Sequence, residues 1–238
     1  MLQEKLDLLL TKYEVGKSAG VAKTADGYTL EIGGKSVRLL PHRFERRFTE
    51  LRKMLSDGTV TGISAVRCSN ISPSDIPLES VIRREIDLAR FVTGREVVSV
   101  AAFGNGNRAV NLLAVLEGGI NAIIEVSNTL PAGGEVIDKH EIIGSRGFVC
   151  DRVVDTQVPQ QSIYLFGEEG KAYTDVDFEL YGLNPEEVSA VRAAMALACD
   201  EKLVSEMISE GEKLDRICEG VRESEKSGRK VIIEGGKF

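Results

Sequence analysis

ESVIRREIDLARFVTG, residues 79–94, reads as one amphipathic helix. With Leu78 just before it, Ile82, Ile86 and Ala89 recur at steps of four and three, so these residues share one face. Arg83, Arg84, Asp87 and Arg90 fall largely on other faces. Gly94 stands where a helix end wants a residue free to take positive φ. A β-rich run, Glu96 to Phe103, follows at once. The remainder of the chain reads as sheet and helices arranged around this helix.

Upstream, residues 1–12 suggest a short amphipathic helix, and the turn signals Asp26-Gly27 and Gly33-Gly34 bracket the strand-like runs TLEI and SVRLL. In HRFERRFTELRKMLSDG, Phe44, Phe48, Leu51 and Leu55 hold one helical face, and Asp57-Gly58 ends it before the strand VTGISAVRCS. Residues 69–78, SNISPSDIPL, are polar and proline-bearing, which predicts a loop.

Downstream, turn signals recur at Gly104 to Gly106, Glu117 to Gly119, Pro131 to Gly134, Gly144 to Gly147, Val158 to Gln161 and Gly167 to Gly170. The β-rich runs between them predict an antiparallel meander. Ile120, Ala122, Ile124 and Val126 share one strand face while Ile123 lies on the other, so the sheet is expected to need cover on both sides. Asn184-Pro185-Glu186-Glu187 is a capping-box helix start. A second start at Asp200 leads into a run that Gly211 is expected to break, and SGRKVII closes as a strand.

The 238 residues allow one large or two small domains. A net charge of −7 argues against nucleic acid as the partner, since a phosphate backbone wants a basic surface. No apolar run approaches the ~18 residues of a membrane helix, and the acid-bearing start is unlike a signal peptide. A cytoplasmic protein is therefore expected, with Cys68, Cys150, Cys199 and Cys218 as free thiols. These cysteines form no CxxC pair, and with His42 and His140 alone beside them no metal site is expected.

GNGNRA places G-x-G-x-x-A at Gly104, Gly106 and Ala109 after a strand, with Glu125 downstream as a ribose-binding carboxylate would be. The space to Gly118 holds barely two helical turns, and Gly-Asn-Gly-Asn is equally a hairpin turn. The hairpin is the preferred reading, and no cofactor is expected. Asp151 with Asp155, and Asp175 with Asp177, read as solvated surface acids near turns. His140 offers a ligand or base, with a satisfied structural histidine the preferred reading. His42 reads as a helix-start residue.

IDLARFVTG followed by EVVSVAAF resembles the helix and strand at the centre of the C-terminal domain of Gfo/Idh/MocA-type oxidoreductases. The likeness continues through Val37, Arg43 and Phe44 to Gly58, and through the closing helix, Ser-Gly-Arg and short strand. It covers about residues 35–235. It implies an α+β domain, a large and mainly antiparallel sheet with helices packed on one face, over 35–238, with 1–34 as a helix-and-hairpin extension. The family's Rossmann domain would need well over a hundred residues before position 35, so none is expected here. Glu4-Lys5-Leu6 is similar to the family's Glu-Lys-Pro motif but carries Leu for Pro, and reads as surface charge on a helix. In the family the 69–78 region approaches substrate; a plain connector is the alternative.

That family carries an Asp and, four residues on, a His that serves in proton transfer. Aligned on Ile86-Asp87-Leu88, these positions are Ser80 and Arg84. The resemblance thus implies a fold without the chemistry: a non-catalytic binding or assembly module, or else the substrate-domain subunit of a split NAD(P)-dependent sugar or polyol dehydrogenase whose Rossmann domain is a separate chain. A self-sufficient dinucleotide binder ranks last. A homodimer through the sheet face is expected. Arg84, Arg83, His42 and Ser80 are the candidate ligand-binding residues, suited to a small anionic or sugar ligand. The competing reading pairs Arg84 with Glu79 or Asp87 on the helix surface.

Overall fold

A computed structural model describes residues 1–24, 27–104, 108–151, 162–166, 171–174 and 179–233. In chain order the elements are α1 (Leu2–Lys12), β1 (Ala19–Thr24), β2 (Gly27–Ile32), β3 (Lys35–Arg38), a 3-10 turn (Pro41–Phe44), α2 (Arg46–Ser56), β4 (Thr61–Pro73) and α3 (Leu78–Thr93). They continue with β5 (Val97–Gly104), β6 (Ala109–Leu116), β7 (Ile120–Leu130), β8 (Ile137–Arg146), β9 (Phe148–Cys150), β10 (Ser162–Phe166), β11 (Lys171–Thr174), α4 (Pro185–Cys199), α5 (Glu201–Ser227) and β12 (Val231–Ile232). The chain forms two compact units, Met1–Glu45 with Val176–Lys213, and Arg46–Asp175 with Leu214–Phe238.

In the first unit, β1, β2 and β3 form a three-stranded antiparallel sheet. Leu6, Leu9 and Leu10 of α1 are buried, and Gln3 ties α1 to β1 through Ala19 and Val21. Asn184 caps α4 as its sequence predicts: its side chain accepts from Glu187 N–H, and Glu187 returns a bond to the Asn184 N–H.

The second unit is built on a nine-stranded sheet in the order β11-β10-β9-β8-β4-β7-β6-β5-β12. It is mainly antiparallel, with one parallel pair, β4 with β7. Three helical segments cover one face. α2 and α3 share a core in which Phe48, Leu51 and Met54 meet Leu88, Phe91, Val92, Ile142 and Val149. Each such fully buried side chain contributes roughly 1.5–3 kcal/mol. The end of α5 joins through Arg83–Asp215, Arg222–Glu79 and the Ser224 hydroxyl, which accepts from Ala102 N–H.

Four readings of the sequence are corrected. The meander is interrupted, because β4 lies between β7 and β8 and pairs with both. β4 runs through Pro73, so Ser69 to Pro73 are strand rather than loop; Asn70 and Ser72 point inward and are hydrogen-bonded there. The helix expected from His42 is split, with a 3-10 turn before α2. Gly211 does not break α5, which continues for 27 residues; a single glycine costs only about 1 kcal/mol in a helix.

The glycine motif precedes a strand. β6 starts at Ala109 and pairs antiparallel with β5 from Gly104↔Val110 onward, so no helix follows to receive a pyrophosphate. Asn105 to Asn107 themselves lie outside the described residues. Among the described residues, no helix is long and apolar enough to cross a membrane.

Helix α3 ends as predicted, with Gly94 in the left-handed region at φ 63° and its N–H on Arg90 O. A side chain there meets open space, so its cost is the backbone conformation alone. Gly94→Ala is expected to lose about 1–2 kcal/mol of stability, measured by urea denaturation; an unchanged midpoint would contradict this role for the cap.

Candidate functional site

The site grows from polar residues at positions where the local pattern calls for apolar ones. On α3, Glu85 is three residues after Ile82 and four before Ala89, which places it on the buried face. On β8, Asp138, His140 and Ile142 alternate onto the inner side of the sheet. Cα register sets His140 opposite Cys68 and Asp138 opposite Asn70. α2 brings Arg47 and Phe48, and Asp151 follows β9.

His140 is buried and bonded at both ring nitrogens. Nδ1 lies 2.5 Å from Asp151 Oδ2, and Nε2 lies 2.8 Å from Glu85 Oε2. Two carboxylate acceptors require two N–H donors, so the ring is an imidazolium. Asp151 Oδ1 also accepts from the His140 backbone N–H at 2.7 Å. Glu85 Oε1 accepts from Asn70 Nδ2 at 2.8 Å and from Arg84. Asp138 accepts two bonds from Arg47, at 2.9 and 2.7 Å, and a third from Arg84 Nη2 at 2.9 Å. Arg47 reaches Asp151 as well. Phe48 seals the cluster, with its ring edge-on to His140 at 4.8 Å and the Arg47 guanidinium 4.4 Å from its centroid.

Three cations thus face three anions: Arg47, Arg84 and His140 against Glu85, Asp138 and Asp151. Burial alone would neutralise all the titratable ones. It acts first to lower His140, but Asp151 and Glu85 overcome it and raise the imidazole to about 10. Burial acts to raise Glu85, yet Arg84 and His140 bring it down to about 2. Asp138 is held well below its ordinary value, against burial, by Arg47 and Arg84. Burial pushes the Cys68 thiol well above its ordinary value, and Glu85 and Asp151 add to that.

At neutral pH neither His140 nor Glu85 is poised to give up or take a proton. His140 stays charged, and a guanidinium does not shuttle protons near pH 7. Two triads carry metal-type donors within 4.8 Å of one another: Cys68, Glu85 and His140, and Asp138, His140 and Asp151.

Of the residues expected from sequence, Arg84 joins this cluster. Its partners are Glu85 and Asp138, whereas Glu79 pairs with Arg222 and Asp87 with Arg90. Arg83, on the same helix, pairs with Asp215. Ser80 is half-buried in the first turn of α3. His42 is buried in the 3-10 turn of the other compact unit. Asp87 and Arg90, assigned to outer faces by periodicity, are buried as an ion pair with Glu96 beside Arg90. Asp151 is likewise buried rather than solvated; Asp155, Asp175 and Asp177 lie outside the described residues. The alternation D-x-H in VIDKHEII was the available signal for Asp138 and His140. Glu85 on an apolar helical stripe was the other.

Opposing shifts predict a stability plateau. The Glu85 contribution is complete above its unfolded value near 4.5 and is lost as pH falls toward 2. The His140 contribution is complete below 6.5 and is lost as pH rises toward 10. Urea midpoints, taken with chelator present because the cluster holds metal-type donors, should peak between about pH 4.5 and 6.5 and decline on both sides. A flat profile from pH 6.5 to 10 would exclude a buried imidazolium. His140→Ala removes the cation shared by Glu85 and Asp151, leaving each buried carboxylate with one guanidinium partner, and should cost about 3–5 kcal/mol, read from the same titration at pH 6.

No protein-family model and no curated protein matches the sequence. Solved structures do share the fold. An oxidoreductase domain protein from Kribbella flavida aligns with a TM-score of 0.62 at 15% identity, covering 82% of this chain and 65% of that one. Scyllo-inositol dehydrogenase from Lactobacillus casei, solved with bound NAD(H) and scyllo-inositol, aligns at 0.58 with 18% identity over 81% of this chain and 63% of its own. The transcriptional regulator Gal80p from Kluyveromyces lactis aligns at 0.65 with 13% identity over 84% and 62%. The α+β fold implied by the resemblance is therefore present. The chain spans slightly less than two thirds of the length of these structures.

Proposed function

We propose that this chain is a non-catalytic binding or assembly module on an oxidoreductase-type fold. The observation that carries the reading is Arg84. It occupies the position that aligns with a proton-transferring histidine, and it is bound to Glu85 and Asp138. A fixed charge held by two carboxylates supplies no acid–base step to a hydride transfer. The regulator among the structural neighbours is an instance of this fold in a protein described by a regulatory role.

Assembly would use the uncovered sheet face. Across it, register aligns Ala101, Leu113, Ile123, Arg67 and Glu141, and Phe103 follows one row out. Phe103, Leu113 and Ile123 are 61%, 42% and 44% exposed. Five strands at ~4.8 Å spacing and some seven residues at ~3.3 Å give roughly 550 Å² in projection. That approaches the ~800 Å² per partner of a standard interface. A second copy is the favoured occupant, because the apolar row ends at the internally neutralised Arg67–Glu141 ion pair, and such a face meets its own twofold-related copy without opposing like charges. Size exclusion with light scattering should give a dimer, and Ile123→Asp should give a monomer. A wild-type monomer at micromolar concentration would remove the dimer.

The second reading is the substrate-domain subunit of a split NAD(P)-dependent sugar or polyol dehydrogenase, favoured by the neighbour solved with NAD(H) and scyllo-inositol. Calorimetric titration and a polyol panel separate the two. The module reading expects no saturable NAD or NADP binding below about 0.1 mM, or roughly −5.5 kcal/mol, and no NAD(P)H formed. Polyol-dependent reduction by this chain with a co-purifying nucleotide-binding chain would replace the module by the split enzyme.

A further inference from the structure

Cys68 brings to the buried cluster a donor that the ion pairs do not use. It faces His140 across the β4–β8 register and is 3% exposed. Among the described residues its thiol has no hydrogen-bond partner. Its Sγ, a Glu85 carboxylate oxygen and a His140 ring nitrogen lie within 4.8 Å of one another. We propose that these three side chains form a Zn²⁺ site, with Cys68 Sγ, His140 Nε2 and Glu85 Oε2 as the protein donors. The proposal is independent of the assembly reading.

Charge balance favours the exchange. Zinc would displace two protons, one from His140 Nε2 and one from the Cys68 thiol. Before the exchange, Arg47, Arg84 and the imidazolium oppose Glu85, Asp138 and Asp151. Afterwards, two guanidiniums and a divalent ion oppose those three carboxylates and a thiolate. The cluster is neutral in both states, so the metal leaves no uncompensated charge in the interior.

The supporting groups are already placed. Nδ1 keeps its hydrogen bond to Asp151, which fixes the tautomer with the Nε2 lone pair turned toward the metal, the carboxylate–histidine–zinc arrangement. Glu85 Oε1 stays with Asn70 and Arg84, leaving Oε2 as the single donor oxygen. Nε2 and Oε2, now 2.8 Å apart, need to open to about 3.3 Å, the separation set by tetrahedral zinc bonds of ~2.0–2.1 Å. The other triad is a poorer host. Asp138 there already carries two guanidiniums, which would repel a cation.

The full chain, unfolded with chelator and refolded with Co²⁺, tests the site, since its burial calls for loading during folding. One Co²⁺ per chain with a near-ultraviolet thiolate charge-transfer band is expected. Cys199→Ser should keep the band and Cys68→Ser should lose it, with Zn²⁺ affinity lowered roughly a hundredfold or more. Calorimetry in buffers of different ionisation enthalpy should show two protons released per Zn²⁺. If Cys68→Ser does not refold, Cys68→Ala and X-ray absorption of the zinc-loaded wild type decide. A shell with one sulfur at about 2.3 Å supports the site. A shell of nitrogen and oxygen alone, no charge-transfer band in the wild type, or a band that survives loss of Cys68, overturns it.

Discussion

The imidazolium of His140, held between Glu85 and Asp151, is the constraint around which the second unit closes. It joins helix α3 to strand β8 and to the residue after β9 through one ring. Removing either carboxylate leaves a buried charge with half its compensation, and such charges are costly in a dry interior. The remaining members follow from it. Arg84 and Arg47 are needed because the carboxylates gathered about one imidazolium would otherwise repel one another. Phe48 then shields the ring and the guanidiniums from water.

The same network explains why a fold shared with dehydrogenases need not carry their reaction. Acid–base catalysis wants a group whose proton affinity lies near ambient pH. Here every carboxylate is matched by a cation, and the match drives the affinities apart, His140 upward and Glu85 downward. The arrangement gives the helix a fixed seat on the sheet. Rigid placement of α3 and poised proton transfer would draw on the same few side chains, and the ion pairs seen here favour placement.

Much of this architecture was legible in the chain. The stripe of Ile82, Ile86 and Ala89, the Gly94 terminus and the Asn184 capping box are local signals, and local physics realised them. The position of β4 was not legible, because pairing between distant strands leaves no mark on either strand's own period. The burial of Asp87, Arg90 and Asp151 was hidden for a related reason. A charged residue reads as surface until its partner is known, and the partner of Asp151 is eleven residues away on another strand. Arg84 stands out through alignment to a motif, whereas Glu85 beside it matches no motif, and only its place on an apolar stripe marks it. Both belong to one cluster, and only the folded chain brings Asp138 to them.

The place of β4 also bears on how the molecule comes into being. This strand leaves the ribosome before β7 and β8, yet it belongs between them, parallel to one and antiparallel to the other. Hairpins β5–β6 and β6–β7 can zip locally, but β4 must wait for both neighbours, and the polar seat of Glu85 on α3 is complete only once β8 brings His140 to it. Assembly is therefore governed by distant pairings, with the high contact order that slows folding. During synthesis the inner face of β4 and the apolar stripe of α3 are left open together, a segment suited to early shielding by chaperones.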